Sequence, residues 1–334
     1  MHIVRGIGSQ RSASPTALTI GNFDGVHRGH QAMLALLRSE AEHRGLTPTV
    51  LSFEPHPRDF FAARSGQPDQ APSRIATLRD KVSELQRCGM QRLMVARFDA
   101  AMAALAPRDF VRQVLVEGLG ARYVLVGDDF RFGARRQGDY ASLDALGAEF
   151  GFDVARMMSY EVHGLRVSSS SVRAALAAGD MELTRTLLGR PYSVSGHVLH
   201  GQKLGRRLGP GYPTLNLRFP HPRPAARGIH VAQVHGLTDT PLPAVASLGS
   251  RPTVDDSGRM LLEVHCLHWP QALGPEGAYA KLVRVELLHK LREETRFEGL
   301  DALTAAIEAD VQAARAWFAA GHAAQRRQTT RDRI

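Results

Sequence analysis

The chain has little cysteine: Cys88 and Cys266 are its two among 334 residues. Two thiols cannot build a disulfide framework, so small secreted scaffolds are set aside and a reducing cytoplasm is expected. Long apolar runs are missing as well. No stretch approaches the roughly 18 residues that span a bilayer. The start, Met1-His2-Ile3-Val4-Arg5-Gly6, lacks the apolar centre of a secretory leader. A soluble protein with no membrane partner is therefore expected. There is no internal repeat of a size that would build a solenoid, and no low-complexity linker.

Lysine is scarce in a basic chain. Lys and Arg number 42 against 33 acidic residues, for a net charge of +9, yet lysine occurs only at positions 81, 203, 281 and 290. Such an arginine excess favours polyanionic partners: phosphorylated small molecules, nucleic acid or an anionic surface. Part of it is uninformative, because Arg326 to Arg333 reads as a frayed, solvated end. No RNA-recognition or helix-turn-helix signature accompanies the charge, so a nucleic-acid partner is not expected.

What remains is globular in composition, 43% hydrophobic and 22% charged, and long enough for two domains of roughly 150 residues each. From Leu18 to about Gly189, short apolar runs alternate with amphipathic segments. Leu18-Thr19-Ile20, Thr49 to Phe53, Leu93 to Ala96 and Tyr123 to Val126 read as strands. Gln31 to Arg44, a segment capped by Thr77 and Asp80, and a segment from Pro107 to Gly118 read as helices. The alternation predicts a doubly wound parallel sheet. Beyond Gly189-Arg190-Pro191 the period changes. Ser193–His200, Gly228–Val234, Leu242–Ser247, Leu261–Leu267 and Leu282–Leu288 are short alternating runs between Gly and Pro turns, predicting an antiparallel barrel or sandwich. Leu300 to Phe318 predicts a closing helix. The expected domains are 1–187 and 188–320, with 321–334 a disordered basic tail.

Gly21-Asn22-Phe23-Asp24-Gly25-Val26-His27-Arg28-Gly29-His30 lies between the first strand and the first helix. In open α/β sheets this is where ligands bind, and a helix N-terminus there offers N–H groups and a positive dipole end to phosphate. Gly21, Gly25 and Gly29 permit close backbone approach, and His27 and His30 can donate to phosphate oxygens. A metal pair is the rival reading, a glycine-rich turn with incidental histidines the plain one. Farther on, Ser168 to Ser171 before an amphipathic run supply hydroxyls for a second phosphate contact through Ser169 and Ser170, with Arg173 as a bidentate clamp. A serine cap with a solvated arginine is the alternative. Asp129, Phe130 and Phe132 place polar and aromatic groups at a strand end, where a flat ring could stack or a loop could simply close its core.

The residue order resembles a known family. The Gly21–His30 run is similar to the nucleotide-binding signature of bacterial FAD synthetases. Phe53-Glu54-Pro55-His56-Pro57, Gly127-Asp128-Asp129-Phe130-Arg131-Phe132-Gly133 and Val167 to Arg173 resemble that family's later motifs, with Ser170 replacing a threonine.

In the other half, Gly201, Lys203, Gly205 and Gly209 form a basic glycine-rich loop suited to ATP phosphates. Thr214 and Asn216, two apart on a strand, share a face and can offer neutral oxygens to Mg²⁺. A basic hairpin loop looks much the same. With Leu248 to Val254, Glu263-Val264-His265 and Leu291 to Phe297, the set resembles the bacterial riboflavin kinase module. The resemblance implies Glu263 as general base and Arg292 beside the flavin, a strand carboxylate paired to an arginine being the alternative for Glu263. It implies a bifunctional enzyme with riboflavin, FMN, FAD and ATP as its small-molecule partners. The assembly state stays open, a homo-oligomer included. Departures occur at Pro210-Gly211, which read as two extra residues beside the loop, at Gly228-Ile229-His230 where Gly-Val-Tyr is usual, and at Ala278 to Lys281. They keep alive an alternative in which the kinase half only binds flavin or nucleotide.

Overall fold

A computed structural model describes residues 1–6, 14–200, 214–250, 260–274 and 276–331. The chain divides into two compact units, Met1–Pro72 with Lys81–Ser169, and Ser73–Asp80 with Ser170–Ile334.

The first unit is built on strands β1 (His2–Arg5), β2 (Thr16–Ile20), β3 (Thr47–Glu54), β4 (Arg92–Arg97), β5 (Ala121–Gly127) and β6 (Asp153–Met157). All pairs are parallel, in the order β1-β4-β3-β2-β5-β6. The helices are α1 (Arg28–Arg44), α2 (Pro57–Arg64), α3 (Leu78–Arg87), α4 (Ala100–Ala104), α5 (Pro107–Asp109) and α6 (Tyr140–Phe150). A small hairpin, β7 (Glu161–Val162) and β8 (Leu165–Arg166), precedes the second unit. Every residue of β2 is buried, as expected of a strand covered on both faces, and Leu18, Leu51, Val124 and Val126 form part of the central core. Burying each such side chain contributes about 1.5–3 kcal/mol before chain entropy is counted.

The chain runs β2, β3, β4 outward in one direction, then returns to lay β5 on the other side of β2. The topological switch point therefore lies between β2 and β5, whose carboxyl ends carry the Gly21 turn and Gly127-Asp128-Asp129. The parallel sheet and the four strands expected from sequence are present. β1, α6 and β6 escaped the sequence reading. The helix expected over Pro107–Gly118 starts with proline at its first position but continues as a π-helix over Phe110–Gly118. Its buried residues, Phe110, Val111, Val114 and Leu115, are spaced so that an α- or a π-helix would both put them on one face.

The second unit opens with α7 (Ser169–Ala178) and α8 (Met181–Leu188). Strands β9 (Tyr192–His197), β10 (Thr214–Phe219), β11 (Gly228–His235), β12 (Leu242–Ser250), β13 (Met260–Cys266) and β14 (Leu282–Arg292) follow, then α9 (Leu300–Arg331). They form one antiparallel sheet in the order β10-β13-β12-β11-β14-β9. A bridge between Leu199 and Asn216 links its two ends into a nearly closed barrel, which decides between barrel and sandwich. Leu215, Leu217, Leu262, Val264, Ala246, Ala232, Val285 and Val194 alternate along their strands and are buried. On the opposite face, Ile229, Val231 and Val245 pack against Val311 and Ala314 of α9. The α9 backbone stays helical beyond Phe318 to Arg331, inside the stretch expected as a tail.

Segment 73–80 belongs to this unit. Arg74 donates its N–H to Arg223 O at 2.7 Å and accepts from Ala225 N at 2.8 Å. Thr77 caps α3, accepting from Asp80 N at 3.1 Å, and the Asp80 carboxylate in turn accepts from the Thr77 hydroxyl and from Ser195 N. Burial pushes the Asp80 carboxyl above the usual range.

Candidate functional site

The turn after β2 is pinned by a bond from Gly21 N to Leu51 O at 3.0 Å. It then passes through φ 48° at Phe23, 85° at Gly25 and 41° at Val26, left-handed backbone that only glycine takes without cost. Side chains at 21 and 29 would meet close neighbours. A Cβ at Gly29 would lie 3.3 Å from the His27 ring and 3.4 Å from Val167 O, and one at Gly21 would lie 3.1 Å from the Phe23 ring. Gly21 thus packs within the turn, and Gly29 packs on the His27 ring and on Val167.

His27 is the N-cap of α1, and its Nδ1 accepts from His30 N at 3.3 Å. An accepting Nδ1 in a neutral ring puts the proton on Nε2. The His27 and His30 rings stack at 3.6 Å with 16° between planes, and Phe23 lies 4.8 Å from His30. Side chains from other segments hold carbonyls of the turn. Ser52 Oγ donates to Asn22 O at 3.4 Å, Ser169 Oγ to Asp24 O at 3.1 Å, and Gln31 Nε2 to Val26 O at 2.8 Å. Asn22 Oδ1 is buried with no hydrogen-bond partner among the described residues. Asp24 is buried at 3% exposure.

Ser169 is thus brought onto the turn. Ser170 is exposed at the start of α7, and Arg173 of the second unit donates Nε to Ser73 O at 2.7 Å. His56 caps α2, its Nδ1 accepting from Arg58 N at 3.1 Å.

At the end of β5, the Ser159 hydroxyl and N–H both bind Asp128, which holds that carboxyl below its usual range. Arg166 reaches Asp129 at 3.4 Å. Phe132 is only 6% exposed and packs on Phe110, while Phe130, half-buried, stacks on Phe132 at 5.5 Å. The two rings expected beside a ligand therefore differ: Phe132 is core and Phe130 is its outer neighbour.

In the barrel, Asn216 of β10 faces Glu263 of β13 as a direct cross-strand partner, and Glu263 faces Ser247 of β12 on its other side. Thr214 faces His265. Period-2 alternation places Thr214, Asn216, Glu263, His265 and Ser247 on one sheet face. Ser247 Oγ donates to Glu294 Oε1 at 3.4 Å, and desolvation pushes the Glu294 carboxyl upward. A Cβ at Gly249 would overlap that carboxylate. Glu294 and Ser247 were not singled out by sequence reasoning, which had only their motif neighbourhoods to go on.

Arg292 donates Nε and Nη2 to the two Asp310 oxygens at 2.9 and 2.7 Å, and Nη1 to Glu293 O and Thr295 Oγ1. Four of its N–H donors are committed, leaving roughly one of the five for a ligand. Gly201, Lys203, Gly205 and Gly209 lie outside the described residues, as do Pro210-Gly211 and Arg251 to Val254. Among the described residues no three His, Cys, Asp or Glu side chains gather as a metal cluster.

The family model for FAD synthetase matches residues 9–171, and that for riboflavin kinase matches residues 188–318. A bifunctional riboflavin kinase/FMN adenylyltransferase of Escherichia coli strain K12 is 42% identical over 95% of this chain and 98% of its own. One of Pseudomonas fluorescens is 44% identical over 95% of this chain and 97% of its own. A solved structure, described as a macrolide-efflux protein from Streptococcus pneumoniae, superposes with a TM-score of 0.71 at 25% identity, covering 95% of this chain and 98% of that one. That description has no counterpart in this chain's helices: among the described residues none is long and apolar enough to cross a membrane. With both halves matched in order and relatives above 40% identity over nearly their full length, the chain belongs to the bifunctional riboflavin kinase/FMN adenylyltransferase family.

Proposed function

We propose that the barrel transfers the γ-phosphoryl group of ATP to the 5′-hydroxyl of riboflavin, giving FMN and ADP. The α/β domain then joins the AMP part of a second ATP to the FMN phosphate, giving FAD and pyrophosphate. We take 1–187 as the adenylyltransferase domain and 188–320 as the kinase domain, although the compact units divide earlier, between Ser169 and Ser170.

The observation that carries the reading is the pairing of Asn216 with Glu263 on one sheet face. It puts a carboxylate beside a neutral side-chain oxygen, so the group that takes the hydroxyl proton sits next to the group that would hold a cation. Mg²⁺ is a hard ion that prefers few protein oxygens and takes the rest from phosphate and water, a demand Thr214 and Asn216 fit. Bound there, it supplies neutralisation of phosphate charge. Glu263 accepts the proton of the ribityl hydroxyl as that oxygen attacks. The loop bearing Gly201, Lys203, Gly205 and Gly209 is assigned to the ATP phosphates, and Arg292 offers its remaining N–H to the flavin.

In the α/β domain the FMN phosphate is itself the nucleophile, so no covalent enzyme intermediate is needed and positioning carries the rate. The amides of Gly21 to Gly29 and the Nε2–H of His27 suit the triphosphate, and His30 is assigned to the charge that builds on it as pyrophosphate leaves. Ser169, Ser170 and Arg173 are assigned to further phosphate contacts. Asp129 and Phe130 are assigned to the flavin, with Phe132 backing Phe130. A cytoplasmic setting suits the two free thiols, of which Cys266 is pushed up to about 12 by burial.

The test is incubation of the purified protein with riboflavin, ATP and Mg²⁺, followed by chromatographic separation of the flavins. FMN and then FAD are expected. FAD formed from added FMN, with no FMN formed from riboflavin, would instead support a kinase half that only binds.

A further inference from the structure

Lys81 is one of the chain's four lysines and is buried at 3% exposure. Its Nζ lies 3.3 Å from Glu54 Oε1 and 3.4 Å from Ser52 Oγ, at the carboxyl end of β3. Ser52, 1% exposed, donates its hydroxyl hydrogen bond to Asn22 O at 3.4 Å. The direction of this chain of bonds is fixed by chemistry. An ammonium can only donate and a serine hydroxyl has one proton, so Lys81 gives to Ser52 and Ser52 gives to the turn.

The turn that receives this bond is the strained one. Phe23 and the β-branched Val26 both sit at positive φ, and such residues persist only where their surroundings over-determine them. Of the side chains holding its carbonyls, Gln31 and Ser169 come from the helix that the turn starts and from a distant segment. Ser52 is backed by a buried charge, the Lys81 ammonium. Burying an ammonium is costly, and an apolar side chain of similar length would fill the same volume without that cost. Glu54, itself 36% exposed, stands beside the ammonium as a carboxylate partner. A compact ammonium also reaches where a planar guanidinium would not, consistent with lysine standing here in an arginine-rich chain.

We propose that Lys81 is a positioning residue for adenylyl transfer: acting through Ser52, it fixes the Asn22 carbonyl and with it the turn from Gly21 to His30. This rests on the reading of that turn as the ATP site of the adenylyltransferase half.

The test is a double-mutant cycle in the full chain with Lys81→Met, Ser52→Ala and the pair. FAD formation from FMN and FMN formation from riboflavin are measured on each protein, alongside thermal melting. Each single change is expected to lower kcat for FAD formation by about 10- to 100-fold, the size of effect that small misplacement of reacting groups produces. KM for FMN and the rate of FMN formation should stay within about two-fold, and the double variant should be no worse than the poorer single one. FAD formation within about two-fold of the parent in both singles overturns the proposal, and so do losses that multiply in the double. Should Lys81→Met fail to fold, Ser52→Ala decides by the same threshold. A parent protein that makes FMN but no FAD overturns the reading of the turn itself, and this proposal with it.

Discussion

Asn216 and Glu263 stand directly opposite each other on β10 and β13, far apart in sequence and brought together by antiparallel register. If Glu263 takes the hydroxyl proton, Glu263→Gln keeps the shape and removes the base. FMN formation from riboflavin should fall by about 10²–10⁴-fold, while FAD formation from added FMN continues. Separate assays of the two steps check this, and undiminished FMN formation would remove Glu263 from the mechanism.

His30 stacks on His27, whose Nδ1 is already occupied in capping α1. His30→Ala removes one donor without removing the cap. FAD formation should drop by about 10²–10³-fold with FMN formation spared. Equal loss of both steps in a folded variant would count against the assignment.

Thr214 and Asn216 are assigned to a cation that neutralises phosphate. Chelation of Mg²⁺ should stop FMN formation, and Asn216→Ala should raise the Mg²⁺ concentration needed for half-maximal rate by about ten-fold or more. Titrating the metal at fixed ATP in both proteins is the measurement. An unchanged requirement would place the cation elsewhere.

His230 lies fully buried on β11, its Nδ1 on Gly228 O at 3.1 Å and its Nε2 without a hydrogen-bond partner among the described residues. Desolvation lowers its pKa to about 4, with Lys290 and His289 adding to the effect and the Gly228 carbonyl and Glu293 opposing it. The folded value lies below the unfolded one near 6.5, so the unfolded chain binds the extra proton first. Stability is full above about pH 6.5 and declines as pH falls toward 4, by up to about 3 kcal/mol. Melting curves at pH 7 and 5 should show the decline in the parent and a smaller one in His230→Phe. Equal declines would show that other groups carry the acid sensitivity.

The start of α1 was legible because glycine, histidine and a following amphipathic run each carry a local signal, and β10 because Thr214-Leu215-Asn216 sits in an alternating run. The partner of Asn216 was not, since register between distant strands is set by the whole barrel. Lys81 left no trace either. Its spacing from Ser52 says nothing until α3 is laid against the end of β3. Residues 110–118 were read as helix, but their π pitch was not legible, because the buried positions satisfy both pitches. Phe130 and Phe132 were indistinguishable by type, and burial separated them.

The bridge between Leu199 and Asn216 gives the barrel's seam an unusual occupant. Asn216 accepts the Leu199 amide through its backbone oxygen at 2.8 Å, while its side chain is assigned to the cation. A ligand that tightens the side chain must also steady the backbone that closes the ring. Proton exchange at the Leu199 amide should accordingly slow when ATP and Mg²⁺ are bound, making a single N–H on the opposite side of the seam a gauge of occupancy in the kinase half.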